Sequence, residues 1–371
     1  MGDVLSLVHQ SPKMTDNFKS LIELNDYFKE EKTCFEFLAH KIWDEGKPVC
    51  PFCNSTKVYT GKSRSPKPSK AGIPEYRCAS KECGKKFSAT KGTIFESSKI
   101  PLRTWYAAIY LLTTGKKGIS SVQLAEQLNI TQKTAWFLNH RIREMFKETA
   151  PDMLEGIIEA DETFVGGKNK NRHENKKKGA GVGGRPAPDD KTAVVGLVQR
   201  NGKVLTFVVP NTTSEIIHPI MQGHVQAGST VITDYFRSYI GIGDEYNHLR
   251  VKPDPETYKT DREIHTNTIE NFWSTFKRGY VGIYHYMSPK HLSRYTNEFG
   301  YRYNNRESKG IVKFNDVVKN SGKVRLKYEK LIGRTTSQTL DNLAEKHTKN
   351  PSPHPDSWMD NIDPDKAPIV E

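Results

Sequence analysis

The sequence predicts a mixed α/β protein of two or three domains, and three observations carry that reading. Two close cysteine pairs, Cys50-Pro-Phe-Cys53 and Cys78-Ala-Ser-Lys-Glu-Cys83, bracket a polar, Pro/Gly-rich stretch. Helical periodicity without strand signals then runs from about 93 to 150. From residue 155 strands come first, then an interleaved helix and strand, then helices, the order of an α/β layer domain. The 371 residues fit that division, at about 150 residues per domain.

Taken in order, residues 14–46 read as helical, with Leu21, Leu24, Tyr27 and Phe28 near a 3.6 period. The cysteine segment, about 48–90, holds KVYTGKSRSPKPSKAG, too polar and too rich in Pro and Gly to pack. Pro101 opens a helix, LRTWYAAIYLLTT, that Gly115 stops. Ile119–Leu128 and Gln132–Phe146 read as two helices broken at Asn129-Ile130-Thr131, and Pro151 closes this part. Ile157–Asp161 and Lys191–Val198 read as strands. Gln199-Arg200-Asn201-Gly202 is a turn signal, with Val204–Val209 as the return strand. Ser214–Val225 is a candidate helix, and Thr230–Thr233 is a short strand ending at Asp234. Helices follow around Glu270–Phe276 and from Pro289 to about Tyr303. The resulting division is 1–47 helical, 48–92 ribbon, 93–150 paired helices, and 151–310 the α/β domain with a basic insertion at 168–190. Residues 311–348 would be a helical extension. Residues 349–371, with five prolines and two Lys against five acids, would be a disordered tail.

Composition narrows the partner. Lys and Arg number 56 against 43 acids, giving a net charge of +13 and a pI near 9.3. Such a balance points to a polyanion, nucleic acid before anionic membrane. No run approaches 18 apolar residues, so no transmembrane span is expected, and MGDVLSLVHQSPK lacks the pattern of a secretory leader. Five cysteines are too few for a disulfide scaffold, and the odd one, Cys34, fits a reducing compartment. A cytoplasmic, nucleoid-associated location is the expectation.

Zinc takes four tetrahedral thiolate or imidazole ligands, and each cysteine pair can supply two sulfurs from one turn. Cys50, Cys53, Cys78 and Cys83 are therefore read as one structural zinc site in a ribbon, in preference to a redox C-x-x-C or inert thiols. The intervening segment carries Lys57, Lys62, Arg64, Lys67, Lys70 and Arg77 against Glu75 alone, so it is either a phosphate-facing tip or a solvated loop.

The stretch ISSVQLAEQLNITQKTAWFLNHRIR has apolar residues at Val122, Leu124, Leu128, Ile130, Ala135 and Leu138, with small Ala125 where two helices would meet. Thr131 can cap the second helix, which leaves Gln132, Lys133 and Thr134 where a recognition helix meets bases or phosphates. Arg141 and Arg143 extend its basic face. The reading is a helix–turn–helix, with an ordinary αα-hairpin as the alternative. The insertion, with Lys168, Lys176, Lys177 and Lys178, would grip phosphates or lie as a solvated loop.

Three carboxylates carry the chemistry. Asp161 is placed at the end of the first strand and Asp234 at the end of another, so neighbouring strands would set them side by side. Glu270, near a helix start, shares a face with Lys277 two turns on. Such a set can hold a hard cation, Mg²⁺ or Mn²⁺, and two ions about 4 Å apart would serve phosphoryl transfer. Each acid also has an ordinary reading: Asp161 before a Gly-Gly turn, Asp234 as an N-cap, Glu270 in a capping box with Asn267.

The ordered set CPFC…C-x4-C, GTIFESSKIPLRTWYAAIYLL, GISSVQLAEQLNITQKTAWFLNHRIR, ADETFVGGK, VVGLV, TDYFRSY and HTNTIENFWSTFKRGYVGIYHYMSPKHLSRYTNEFGYRYNNR resembles the zinc-ribbon DDE transposases of bacterial ISXO-type insertion sequences, over about 34–306. The second cysteine pair has four intervening residues where two is usual. The resemblance implies a ribonuclease-H-like catalytic fold that cuts and joins double-stranded DNA at the element's terminal inverted repeats. It makes Asp161, Asp234 and Glu270 the metal-binding triad and Lys277 the basic residue beside it. His265 and Asn267 fall in a His-Thr-Asn motif without an assigned role, and Asn271 is a competing third position. Two DNA ends handled together imply a homodimer or larger assembly. The competing functions are a non-catalytic DNA-binding regulator and a ribonuclease-H-like metal nuclease that cuts without joining.

Overall fold

The computed structural model describes residues 18–62, 72–147, 151–167, 191–251 and 264–333. The insertion 168–190, with Lys168, Lys176, Lys177 and Lys178, and the tail 349–371 lie outside these residues. The chain forms two compact units. The first takes residues up to Phe146 and then Glu307–Arg325, and the second takes Lys147–Arg306 and the chain from Leu326 onward.

In the first unit, the helical start is two helices, α1 (Leu21–Tyr27) and α2 (Glu31–Ile42). Ser20 caps α1, its hydroxyl accepting the Glu23 N–H at 3.2 Å. The central helix is α3 (Leu102–Thr114), buried along most of its length. Its first N–H groups have no helical partner, and the Glu31 carboxylate supplies one, accepting the Leu102 N–H at 2.6 Å. Around α3 the core is aromatic. Phe28, Phe37 and Tyr106 pack at centroid distances of 4.6–5.5 Å, edge-on or tilted as ring quadrupoles prefer. Phe314 completes the cluster, 5.2 Å from Phe18 and 5.6 Å from Tyr106. It lies on α9 (Gly310–Asn320), which packs on α2, α3 and α5 rather than extending the second unit. Cys34 belongs to this core, and burial pushes its thiol well above the ordinary value.

The cysteine segment is a three-stranded antiparallel sheet of β1 (Val58–Lys62), β2 (Pro74–Cys78) and β3 (Lys86–Phe87). The start of the stretch read as unstructured is thus strand β1, because its backbone pairs from Val58↔Cys78 to Lys62↔Pro74. Trp43 packs edge-on against Tyr76 at 4.8 Å.

Helices α4 (Ser121–Leu128) and α5 (Gln132–Met145) fall where the pattern places them. Ser120 and Thr131 cap them, and Asn129 turns the chain with φ 50° and ψ 50°, a left-handed step that Asn tolerates. Three side chains differ from expectation. Val122 is 65% exposed, because Leu124 and Ala125 alone turn inward from this helix. Arg141 is buried instead of lying on a basic face. Its guanidinium rests over Trp105 at 4.8 Å and Phe137 at 5.2 Å, and burial pulls its pKa down to about 10. Arg143 is buried as well.

The second unit is a five-stranded sheet in the order β6-β5-β4-β7-β8. Strands β4 (Ile157–Val165), β5 (Thr192–Gln199) and β6 (Val204–Val209) are antiparallel neighbours. Strands β7 (Thr230–Thr233) and β8 (Asn247–Arg250) run parallel to β4. Strand β8 has no counterpart in the sequence reading, since NHLR offers neither alternation nor an apolar run. Helix α6 (Ser214–His224) covers one face, with Ile217, Ile220 and Met221 against Ala193, Val195 and Leu197. Helices α7 (Asn267–Gly279) and α8 (Pro289–Asn304) cover the other, with Ile269, Trp273 and Phe299 against Val194 and Val198. A short helix, α10 (Tyr328–Ile332), follows in the same unit. No described helix is long and apolar enough to cross a membrane.

Candidate active site and metal centre

Asp161 stands in the middle of β4, the fifth of nine residues, rather than at its end. The difference arises because β4 pairs with β5 along nearly its whole length, from Ile158↔Gln199 to Val165↔Thr192. On the other side the ladder with β7 stops at Glu159↔Ile232. Continuing that register by two residues sets Asp161 across from Asp234, the residue that leaves β7. The two aspartates thus stand near one another where β7 ends, close enough for the Asp234 charge to act on Asp161. Asp234 is exposed, and its Oδ1 accepts the Phe236 N–H at 2.9 Å. The ordinary role, stabilising the turn after the strand, coexists with the placement beside Asp161.

Helix α7 brings the third acid. Asp161, Glu270, Trp273, Ser274, Lys277, Arg278 and Val281 line one open cleft of about 500 Å³. The helical members recur at intervals of three and four, so they form one stripe along the axis. Asn271 does not line this cleft. The Glu270 carboxylate accepts the Thr266 hydroxyl at 3.0 Å, so its local partner is Thr266 rather than Asn267. Burial, and after it the charges of Asp234 and Glu270, push the Asp161 carboxyl up to about 6, with Lys277 pulling the other way. Glu162 points to the opposite face of the sheet, toward buried Tyr239, whose hydroxyl donates to it at 3.0 Å. Burial and the charges of Asp161 and Asp234 push Glu162 up to about 7. All the donors in the cleft are oxygens, the set a hard cation selects.

Gly196, opposite Asp161 on β5, permits this arrangement. A Cβ there would stand 2.5 Å from Trp273 Cζ2 and 3.1 Å from Ile269 Cδ1. Gly196→Ala is expected to lift α7 from the sheet, costing about 1–3 kcal/mol of stability. Chemical denaturation checks this, and an unchanged midpoint would show that the α7 seating does not matter.

One carboxylate in this region was not singled out in the sequence. Glu159, wholly buried, accepts the Thr268 and Ile269 N–H groups at 2.8 and 3.0 Å and the Thr268 hydroxyl at 2.9 Å. Arg200 Nε donates to it at 2.8 Å. Residues His265 and Asn267 belong to this anchorage. His265 lies 3.1 Å from Arg200 through Nδ1, and its carbonyl accepts from the same guanidinium at 2.8 Å. The Asn267 N–H donates to His265 Nδ1 at 3.3 Å, while its side chain is exposed.

In the first unit, the sulfurs of Cys50, Cys53, Cys78 and Cys83 lie within 4.8 Å of one another. Cys53 and Cys78 are 3.5 Å apart, and Cys50 and Cys83 3.8 Å. Among the described residues this is the one group of three or more His, Cys, Asp or Glu ligand atoms so close together, and the cleft carboxylates stand more openly. Four thiols in reach of one centre fit a structural zinc ion, and the four-residue spacing of the second pair does not prevent it. On α5, Gln132 and Lys133 are exposed at the N-terminus and Thr134 is partly so. Gln132 donates to Ser121 Oγ at 2.9 Å, which joins the two helices.

Comparison with known proteins agrees with this organisation. Residues 29–86 match the transposase zinc-ribbon domain, and residues 153–304 match the ISXO2-like transposase domain. A protein of the transposable element ISH50 from Halobacterium salinarum is 29% identical over 285 residues, 74% of this chain and 91% of that protein. A transposase-like protein from Haemophilus influenzae is 34% identical over 111 residues, 30% of this chain and 88% of that protein. Among solved structures, the Mos1 strand transfer complex matches 61% of this chain and 81% of its own at 14% identity, with a TM-score of 0.24. The ribbon with its four sulfurs, the α/β unit behind it and these matches in the same order place the chain in the family of zinc-ribbon transposases with an ISXO2-like transposase domain.

Proposed function

We propose that this transposase is catalytic, and that it hydrolyses a phosphodiester at the terminal inverted repeat of an insertion sequence and joins the freed 3′ end to target DNA. The observation that carries the reading is the register of β4 and β7, which sets Asp161 across from Asp234 at the wall of the cleft that Glu270 lines. The strand order of the sheet, with its first three strands antiparallel and the next two parallel to the first, supports reading the unit as a ribonuclease-H-like core.

Asp161, Asp234 and Glu270 would hold divalent cations, Mg²⁺ or Mn²⁺. Two such ions, when bound, would polarise the attacking oxygen and stabilise the leaving one. The donors suit them, because a cation would relieve what raises the Asp161 carboxyl, burial first and then the nearby charges of Asp234 and Glu270. The Lys277 ammonium, two turns beyond Glu270 in the same cleft, offers positive charge to a bound phosphate. Trp273 forms a rigid wall there, and its anchoring on Gly196 fixes the helix that carries Glu270. Helices α4 and α5 serve as a helix–turn–helix, with Gln132, Lys133 and Thr134 meeting the terminal repeat and the ribbon beside them. Contacts to phosphates make that binding salt-dependent. The protein acts in the cytoplasm, on the nucleoid, as a homodimer or larger assembly that pairs two DNA ends.

The test is a cleavage and strand-transfer assay with Mg²⁺ on DNA bearing the element's terminal repeat, with Asp234→Ala alongside. Cleavage and joining, both lost in the variant, are the expected result. Cleavage without joining under conditions that pair the ends would point to a nuclease. Specific, salt-sensitive binding with no cleavage would point to a regulator.

A further inference from the structure

We propose that Glu159, backed by Arg200 and His265, is a positioning residue that sets where Glu270 stands relative to Asp161, and thereby tunes the divalent-cation affinity of the cleft. The inference rests on the carboxylate reading above.

A buried carboxylate is expensive unless it is both paired and hydrogen-bonded. Glu159 meets both conditions with two elements at once. Its Oε2 takes the first free N–H groups of α7, those of Thr268 and Ile269, where the helix dipole also favours an anion. Its Oε1 takes the Thr268 hydroxyl and the Arg200 Nε–H. Helix α7 has no side-chain cap of its own, since Thr266 at the N-cap position bonds Glu270 instead. The Thr268 and Ile269 N–H groups at the start of the helix are thus pinned to strand β4.

That pin adjoins the cleft. Glu159 and Asp161 are two residues apart on β4 and so face the same side of the sheet. Glu270 directly follows Ile269. One carboxylate therefore joins strand to helix one step from the place where strand and helix each present a cleft carboxylate. Arg200, at the β5–β6 turn, balances the charge of Glu159 and holds both the carbonyl and the ring of His265. His265 in turn receives the Asn267 N–H, so the segment entering α7 is held in the same chain of bonds. A carboxylate serving only the core would affect the stability of the unit and leave the cleft's affinity alone.

Mn²⁺ binding to the zinc-loaded chain with its cleft stripped of divalent cations, followed by electron paramagnetic resonance, separates the two roles. Glu159→Gln keeps the shape but sets an amide N–H₂ against donors. It is expected to weaken Mn²⁺ binding about 10–100-fold, while affinity for the terminal-repeat DNA changes less than about 2-fold. Glu159→Asp, which keeps the charge one methylene short of the helix, is expected to recover part of the loss. A folded Glu159→Gln chain that binds Mn²⁺ like the wild type would overturn the proposal. Should that variant fail to fold, Arg200→Lys is read instead, with the same expected direction and the same refuting result. Absence of any Mn²⁺ binding by the wild type would defeat the carboxylate reading itself, a result distinct from failure of the pin alone.

Discussion

Asp161→Asn is expected to abolish strand cleavage and, at the same time, to make the metal-free chain harder to unfold. In the proposed role of Asp161 as a cation ligand, its loss removes several kcal/mol of transition-state stabilisation, on the order of 10³-fold in rate. The stability gain follows from the charge crowded into the cleft. Burial first, then the charges of Asp234 and Glu270, raise the Asp161 carboxyl from its ordinary 3.8 to about 6. The folded state then binds this proton more tightly than the unfolded state, so ionisation costs stability above about pH 6. The cost fades as pH falls through 6 and is gone below about 4. Asn, neutral at every pH, is expected to raise the melting temperature at pH 7.5 by a few degrees, on the order of 1–3 kcal/mol, and to lose that advantage near pH 4. Added Mg²⁺ is expected to reverse the order by stabilising the wild type alone. Calorimetry at the two pH values, with and without the cation, checks both signs. A variant no more stable than the wild type at pH 7.5 would contradict the assignment.

Removing the metal from the four cysteines is expected to unfold the ribbon and spare the helices around it. Three short strands and the Trp43–Tyr76–Phe87 contacts are a small apolar reserve. Structural zinc in comparable small domains is worth about 10–16 kcal/mol in apparent binding energy. The aromatic cluster of Phe28, Phe37, Tyr106 and Phe314 contains none of the four ligands. A chelator, or Cys78→Ser, should therefore expose residues 48–92 to protease while most of the helical circular dichroism persists. Affinity for DNA ends should fall in parallel. Continued protection of the ribbon in a zinc-free chain, with the metal content measured, would show that the sulfurs do not hold the fold.

What could be read from the sequence was what local chemistry determines. Pro101 and Gly115 bound α3, Ser120 and Thr131 cap α4 and α5, and Asn129 supplies the left-handed turn between them. The two aspartates could be set side by side because a strand ending in Asp is visible in VITD. What escaped depends on partners far away in the chain. The bond from Glu159 to Thr268 spans 109 residues, and no periodicity reports it. Asp161 looked terminal because ADETFVGG turns polar, yet pairing with β5 carries the strand on to Val165. Arg141 looked like a surface cation because nothing nearby reveals that Trp105 will lie beneath it. Helix α9 looked like an appendage because the core it completes is assembled two hundred residues earlier in the chain, around α3.

That last arrangement has a consequence for how the protein is made. Phe314, Val317 and Val318 close the core of the first unit, yet they follow the sheet of the second unit in the chain. Synthesis proceeds at about 5–20 residues per second, so Phe28 and Tyr106 wait roughly 10–60 seconds for Phe314 to be made. Prematurely terminated chains would carry the ribbon and the paired helices on an unfinished core. Such fragments are expected to unfold more readily than the whole chain, since Phe314, Val317 and Val318 are missing from their core.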